Sequence, residues 1–204
     1  MIRVKVCGIT NIEDAQKCVY YGAWALGFVF YKKSPRYVSP SKARKIIECL
    51  PPFITPVGVF VNLKERAVRD ICQFARIHTV QFHGDEEPGY CKRFKDYKII
   101  KAFRVKEDFD LKGVSKYKVD AYLFDTYQDD VYGGSGKVFC WDIIEDVKFE
   151  RPVILSGGLT PDNINTAIKE VSPYAVDVSS GLERSPGIKN ARLIRAFFGS
   201  VGGI

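Results

Sequence analysis

The stretch Arg3-Val4-Lys5-Val6-Cys7-Gly8-Ile9-Thr10 opens the chain with a β-branched run that stops on a cysteine and a glycine. Strand side chains alternate between faces, so Arg3, Lys5 and Cys7 share one face and Val4 and Val6 the other. Taken alone, Cys7 reads as a small core hydrophobe, the usual fate of a free thiol. At the mouth of a barrel the same thiol would sit where chemistry is done. Which of the two applies depends on the rest of the chain.

Similar short apolar runs recur at 25–30, 56–61, 79–83, 98–103, 121–125, 153–156 and 175–179. Between them lie segments with helical signals. Asn11 is placed to cap a first helix, with Glu13 and Asp14 in its first turn and Gly22 at its end. Ser39-Pro40 reads as the start of a second helix burying Ala43, Ile46, Ile47 and Leu50. Thr160-Pro161 reads the same way before Ile164, Ala167, Ile168 and Val171. A last helix from Asn190 buries Leu193, Ile194, Phe197 and Phe198. Helices are also expected over 65–75 and 86–95, and shorter ones near 107–116 and 142–147. Continuous apolar strands alternating with helices indicate a parallel sheet covered on both faces. Eight such units without a break in composition predict an α/β fold, a (β/α)8 TIM barrel forming a single domain over 1–204 with short loops. A doubly wound open sheet is the alternative, lowered because no G-x-G-x-x-G follows the first strand.

The 204 residues carry a net charge of +7, with a pI near 9.0. Excess positive charge attracts anions, from nucleic acid to a small phosphorylated substrate. The basic residues are spread out, which disfavours nucleic acid. No run approaches the about 20 apolar residues of a membrane span, and the start lacks a signal-peptide pattern. A cytoplasmic protein is expected, bound to neither nucleic acid nor membrane. The six cysteines include no C-x-x-C pair and no neighbouring histidine, so neither a zinc site nor a disulfide framework is expected.

In barrels of this kind the active site lies at the C-terminal ends of the strands. Here those ends carry Cys7, Gln81 and His83, Asp125, Ser156-Gly157-Gly158, and Asp177 with Ser179-Ser180-Gly181. Pointing inward, they would fill the mouth with a thiol, two carboxylates, an amide and an imidazole. The glycine-rich ends of strands seven and eight let backbone N–H groups approach an anion, and phosphate is the expected guest. Arg36, in the loop after strand two, has a fork suited to carboxylate or phosphate. The run Tyr132-Gly133-Gly134-Ser135-Gly136-Lys137 resembles a P-loop but fails its spacing, because Val131 replaces the first glycine and Val138 follows the lysine. A glycine-rich lid beside Asp125 is the better reading.

Together these residues resemble the phosphoribosylanthranilate isomerase family of tryptophan biosynthesis. The likeness runs in order through KVCGIT at 5–10, GFVFYKKSPRYVSP at 27–40, VGVFVN at 57–62, VQFHGDE at 80–86 and IKAFRV at 100–105. It continues through LFDT at 123–126, YGGSGKVFCW at 132–141, LSGGLTPDN at 155–163 and AVDVSSGLERSPGIKN at 175–190. It is weakest at 106–120 and 143–151.

The resemblance implies an isomerase that converts N-(5-phosphoribosyl)anthranilate, a phosphorylated aminosugar, to the ketose by an Amadori rearrangement. Cys7 would be the general base and Asp125 the general acid. Arg36 would hold the anthranilate carboxylate. Gly157, Gly158, Ser180 and Gly181 would hold the phosphate, Asp177 would lie near the sugar, and Gln81 and His83 would line the pocket. No cofactor or metal is needed, because the substrate's own iminium serves as the electron sink. A monomer or homodimer is expected. Asp125 would have to be kept protonated by desolvation against an ordinary pKa of about 3.9. Lys5, roughly 6–7 Å from Cys7 by strand rise, is expected to lower the thiol's pKa. The competing readings are the related Amadori isomerase of histidine biosynthesis or a dual-substrate form, and a non-enzymatic anion or RNA binder. Cys7, Arg36 and the short chain disfavour the first. The order of the strand-end motifs disfavours the last.

Overall fold

A computed structural model describes residues 2–106, 109–126, 141–144 and 149–202. Eight parallel strands close on themselves in chain order: β1 (Arg3–Cys7), β2 (Ala25–Val29), β3 (Thr55–Phe60), β4 (Thr79–Phe82), β5 (Lys98–Val105), β6 (Ala121–Thr126), β7 (Val153–Leu155) and β8 (Ala175–Val178). The ring is shut by β8 against β1, with Lys5 opposite Asp177, while on the other side Lys5 faces Ala25 and Cys7 faces Gly27. This is the (β/α)8 barrel expected from the alternating pattern.

Helices fill the connections: α1 (Ile12–Tyr20), α2 (Pro40–Ile47), α3 (Glu65–Ala75), α4 (Pro88–Cys91), α5 (Leu111–Val114), α6 (Ile164–Val171) and α7 (Ala191–Ser200). Their starts follow the capping chemistry. The Asn11 side chain accepts from Asp14 N–H at 2.8 Å, Ser39 accepts from Lys42 N–H, and Asn190 accepts from Arg192 N–H at 2.9 Å. One start differs from expectation. Helix α6 begins at Ile164 and not at Thr160-Pro161. Asn163 holds the preceding residues in a turn: its Oδ1 accepts from Thr160 N–H at 2.8 Å and its Nδ2 donates to Gly158 C=O at 2.9 Å. A further difference is a hairpin after β8, formed by β9 (Glu183–Ser185) and β10 (Ile188–Lys189). The helix expected near 86–95 is α4 followed by a 3-10 turn over Lys92–Phe94. That expected near 107–116 shrinks to α5, and near 142–147 the described part is a 3-10 turn, Trp141–Ile143.

Strand alternation sorts the core into two layers. Val4, Val6, Leu26, Phe28, Val176 and Val178 face outward and pack under the helices. Val57, Ile100, Ala102, Leu123, Ile154 and Ala175 fill the barrel interior. Above that plug Lys5, His83, Asp125 and Asp177 join Cys7, Val29 and Val59, which leaves the C-terminal mouth as the place for a site. Among the described residues no helix is long and apolar enough to cross a membrane.

Candidate active site

A cavity opens at the C-terminal ends of the strands, and its walls include Cys7, Arg36, His83, Asp125, Asp177 and Ser179. The glycine-rich run at 132–137, read as a lid, lies outside the described residues.

Cys7 ends β1 with its side chain turned into the barrel, where Gly27 leaves it room. A Cβ at residue 27 would stand 2.7 Å from Cys7 Sγ and 3.1 Å from Lys5 Nζ. Gly27→Ala is therefore expected to displace the thiol and to cost about 1–3 kcal/mol by overpacking. Calorimetry would read this as a lower melting temperature, alongside a lower kcat. Lys5 lies beneath the thiol and donates to Asp177 Oδ1 at 2.9 Å, with both groups buried. Burial works to lower the Lys5 pKa, but Asp177 and Cys7 outweigh it, so the ammonium is held above its ordinary value. Burial pushes the Cys7 thiol up. Lys5 pulls it down, Asp177 adds to the rise, Lys189 pulls down again, and burial prevails. The contribution of Lys5 thus has the expected sign, but the expected net lowering is not found, because the thiol is desolvated and the ammonium is shared with Asp177.

Asp125, near the end of β6, is buried. Its Oδ1 accepts from Thr126 N–H at 2.9 Å, and its Oδ2 lies 3.1 Å from His83 Nε2. Behind the imidazole, Gln81 Nε2 lies 2.7 Å from His83 Nδ1. With the amide donating there, the ring carries its proton on Nε2 and donates to Asp125. Gln81, expected to line the pocket, is instead fully buried and not part of the cavity wall, because the alternation that lifts His83 to the mouth leaves Gln81 one layer below. It reaches the site only through His83.

Arg36 comes in from the loop after β2 and is taken up by Glu183 of the hairpin, with Nη2 to Oε2 at 2.7 Å and Nε to Oε1 at 2.9 Å. Glu183 in turn accepts from Lys189 Nζ at 2.9 Å. Lys189 also donates to the carbonyls of Cys7, at 2.6 Å, and Ser179, at 3.1 Å.

The small-residue turns lie side by side beyond Ser156 and Ser179. Gly157 and Gly158 both have positive φ, 91° and 64°, a region open to glycine without strain. Ser180 and Gly181 begin a 3-10 turn, and a Cβ on Gly181 would collide with the Leu159 carbonyl. The two backbones meet there with no side chain between them, which is the setting in which N–H groups can converge on an anion.

Reasoning from sequence misses Glu183 and Lys189. A signal is present, since Ser185-Pro186-Gly187 is a turn sequence flanked by charged residues. Read as a hairpin, it brings both side chains back over β1.

Three known proteins show how far the likeness extends. N-(5'-phosphoribosyl)anthranilate isomerase of Geobacter sulfurreducens is 50% identical over 197 residues, covering 97% of each chain. The crystal structure of phosphoribosyl anthranilate isomerase from Thermotoga maritima superposes with a TM-score of 0.92 at 42% identity, covering 99% of each chain. A phosphoribosyl anthranilate isomerase in complex with reduced 1-(o-carboxyphenylamino)-1-deoxyribulose 5-phosphate superposes at 0.87 with 41% identity, again over 99% of each chain. The family model described as N-(5'phosphoribosyl)anthranilate (PRA) isomerase matches residues 4–200. With that match across a barrel whose mouth carries the thiol and carboxylate at the ends of β1 and β6, the chain belongs to the N-(5'-phosphoribosyl)anthranilate isomerase family.

Proposed function

We propose that this cavity carries out the Amadori rearrangement of N-(5-phosphoribosyl)anthranilate, with Asp125 as general acid and Cys7 as general base. The observation that carries the reading is that both groups open onto one cavity, which also takes in Arg36 and whose wall residues Ser156 and Ser179 directly precede the turns at Gly157-Gly158 and Ser180-Gly181. In the first step Asp125 protonates the furanose ring oxygen. The C1′–O bond breaks as the anthranilate nitrogen forms a C1′=N⁺ bond. His83 Nε2, at 3.1 Å from Oδ2, holds the Asp125 carboxyl in place at the cavity. In the second step the Cys7 thiolate takes the C2′ proton, and the electron pair left behind neutralises the iminium as an enolamine. Proton return to C1′ and loss of the hydroxyl proton at C2′ give the ketose. Arg36 receives the anthranilate carboxylate, the glycine turns receive the phosphate, and Asp177, tied to Lys5, faces the sugar between them. The site is read as acting in the cytoplasm on a diffusible small molecule, without nucleic acid.

Purified protein incubated with phosphoribosylanthranilate should remove the anthranilate-type fluorescence at a rate proportional to enzyme. No turnover of this substrate, with turnover of the histidine-pathway aminoaldose instead, would overturn the reading.

Two further outcomes follow from the geometry. Arg36→Met should raise KM roughly 10–100-fold, the loss expected for a charge-assisted bidentate pair, with kcat much less affected. Burial raises the Cys7 pKa and Lys5 works against it, so alkylation of Cys7, followed by peptide mapping, should accelerate only above the ordinary thiol range. Lys5→Met removes the nearest cation and should move that titration to higher pH. A titration that stays put in the Lys5 variant would show that Lys5 has no hold on the thiol.

A further inference from the structure

We propose that Glu183 is a positioning residue that aims the free edge of Arg36 at the substrate's carboxylate, an inference that rests on the role given to Arg36 above. Arg36 comes from a loop, and its flexible stem has no regular element to fix it. Two contacts do so instead. The stem lies against Gly8, where a Cβ would stand 2.7 Å from Arg36 Cδ. Glu183 then grips the side edge of the guanidinium: Nε donates to Oε1 at 2.9 Å and to Oε2 at 3.1 Å, and Nη2 donates to Oε2 at 2.7 Å. A guanidinium has five N–H donors in a rigid plane. Fixing the Nε/Nη2 edge leaves the Nη1/Nη2 edge directed away from Glu183, ready for a second carboxylate in the same fork-to-fork geometry. Arg36 is part of the cavity wall.

Glu183 is built to hold and not to react. Its Oε1 also accepts from Lys189 Nζ at 2.9 Å and from Gly187 N–H at 3.3 Å, so both oxygens are engaged. The side chains of Glu183 and Lys189 are 4% and 0% exposed. Burial works to raise the Glu183 pKa, but Arg36 and Lys189 outweigh it and hold the group ionised. Lys189 fastens the hairpin to the ends of β1 and β8 through the carbonyls of Cys7 and Ser179. The Arg36–Glu183–Lys189 chain therefore fixes the carboxylate receiver relative to the backbone of Cys7. Its charges sum to one net positive, so the pocket end keeps its attraction for an anion.

The test is steady-state kinetics on Glu183→Gln, Arg36→Met and the double variant, with Glu183→Asp as a second probe that keeps the charge but shortens the reach. An amide offers the guanidinium one acceptor where the carboxylate offered two, so Glu183→Gln should raise KM about tenfold with kcat changed by less than about threefold. In the double variant KM should be no higher than in Arg36→Met alone, because no guanidinium is left to aim. Inhibition by inorganic phosphate should be unchanged in Glu183→Gln, whereas the carboxylate-bearing reduced product analogue should bind more weakly. A general loosening of the barrel would move both ligands. If Arg36→Met raises KM but both Glu183 variants leave it unchanged or lower it, the positioning role is wrong and that of Arg36 stands. The positioning role is equally wrong if the two effects multiply in the double variant, or if phosphate weakens as much as the analogue. An unchanged KM in Arg36→Met would overturn the underlying role of Arg36 itself.

Discussion

Cys7→Ser is expected to lower kcat by about 10²–10⁴-fold, the range a positioned general base contributes, while KM stays near that of the parent. The substitution is close in shape, and the backbone contacts that fix residue 7, from Lys189 Nζ and Ser179 Oγ to its carbonyl, do not involve the side chain. What changes is acidity. A thiol reaches its anionic form far more readily than a hydroxyl, and a cavity that already pushes the thiol up by burial would leave a serine neutral at any working pH. The loss should therefore fall on the chemical step and be equal in kcat and kcat/KM. Steady-state kinetics on the purified variant would check this, with circular dichroism to confirm that the barrel is intact. Retention of more than about a tenth of the parent kcat, with chemistry shown to be rate-limiting, would remove Cys7 from the base role.

Asp125→Asn should be as damaging, again by about 10²–10⁴-fold in kcat, for a different reason. The amide has no proton acidic enough to give to a ring oxygen. It also conflicts with its neighbours. Asp125 accepts two hydrogen bonds, one from Thr126 N–H and one from His83 Nε2. An asparagine turned either way satisfies only one of them and sets its NH₂ group against the other donor. Leaving a buried donor unpaired costs about 1–3 kcal/mol, so the melting temperature should fall as well. Moving the His83 proton to Nδ1 would relieve that contact only by opposing the Gln81 amide. Single-turnover rates, which exclude product release, would separate the catalytic loss from the loss of stability.

Much of the barrel is legible in the sequence because its information is local. The eight strands are short, largely apolar runs, and the caps at Asn11, Ser39 and Asn190 act within their own first turns. Cys7 and Asp125 stand out from strand-end position alone, since a parallel barrel delivers its strand ends to one face. Other features depend on contacts across the sequence. The start of α6 is decided by Asn163 reaching back to Gly158, which overrides the Thr160-Pro161 signal. The partner of Arg36 lies 147 residues away, and the carbonyl held by Lys189 lies 182 away, so no spacing rule connects them. Gln81 and His83 share a face, yet that face does not say which of the two reaches the mouth. The pKa of Cys7 escapes a reading of the sequence for a similar reason. The sequence places Lys5 two residues away, but only the closed ring brings Asp177 alongside to share its charge.

The division of labour between the two groups is tested most directly by single-turnover kinetics with substrate deuterated at C2′. In Cys7→Ser, removal of the C2′ proton limits the reaction, so the account predicts a primary deuterium isotope effect on the observed rate. In Asp125→Asn, ring opening limits and no C2′ bond breaks in that step, so the account predicts a rate insensitive to the label. A Cys7→Ser rate without the isotope effect, or an Asp125→Asn rate that carries it in full, would contradict the assignment.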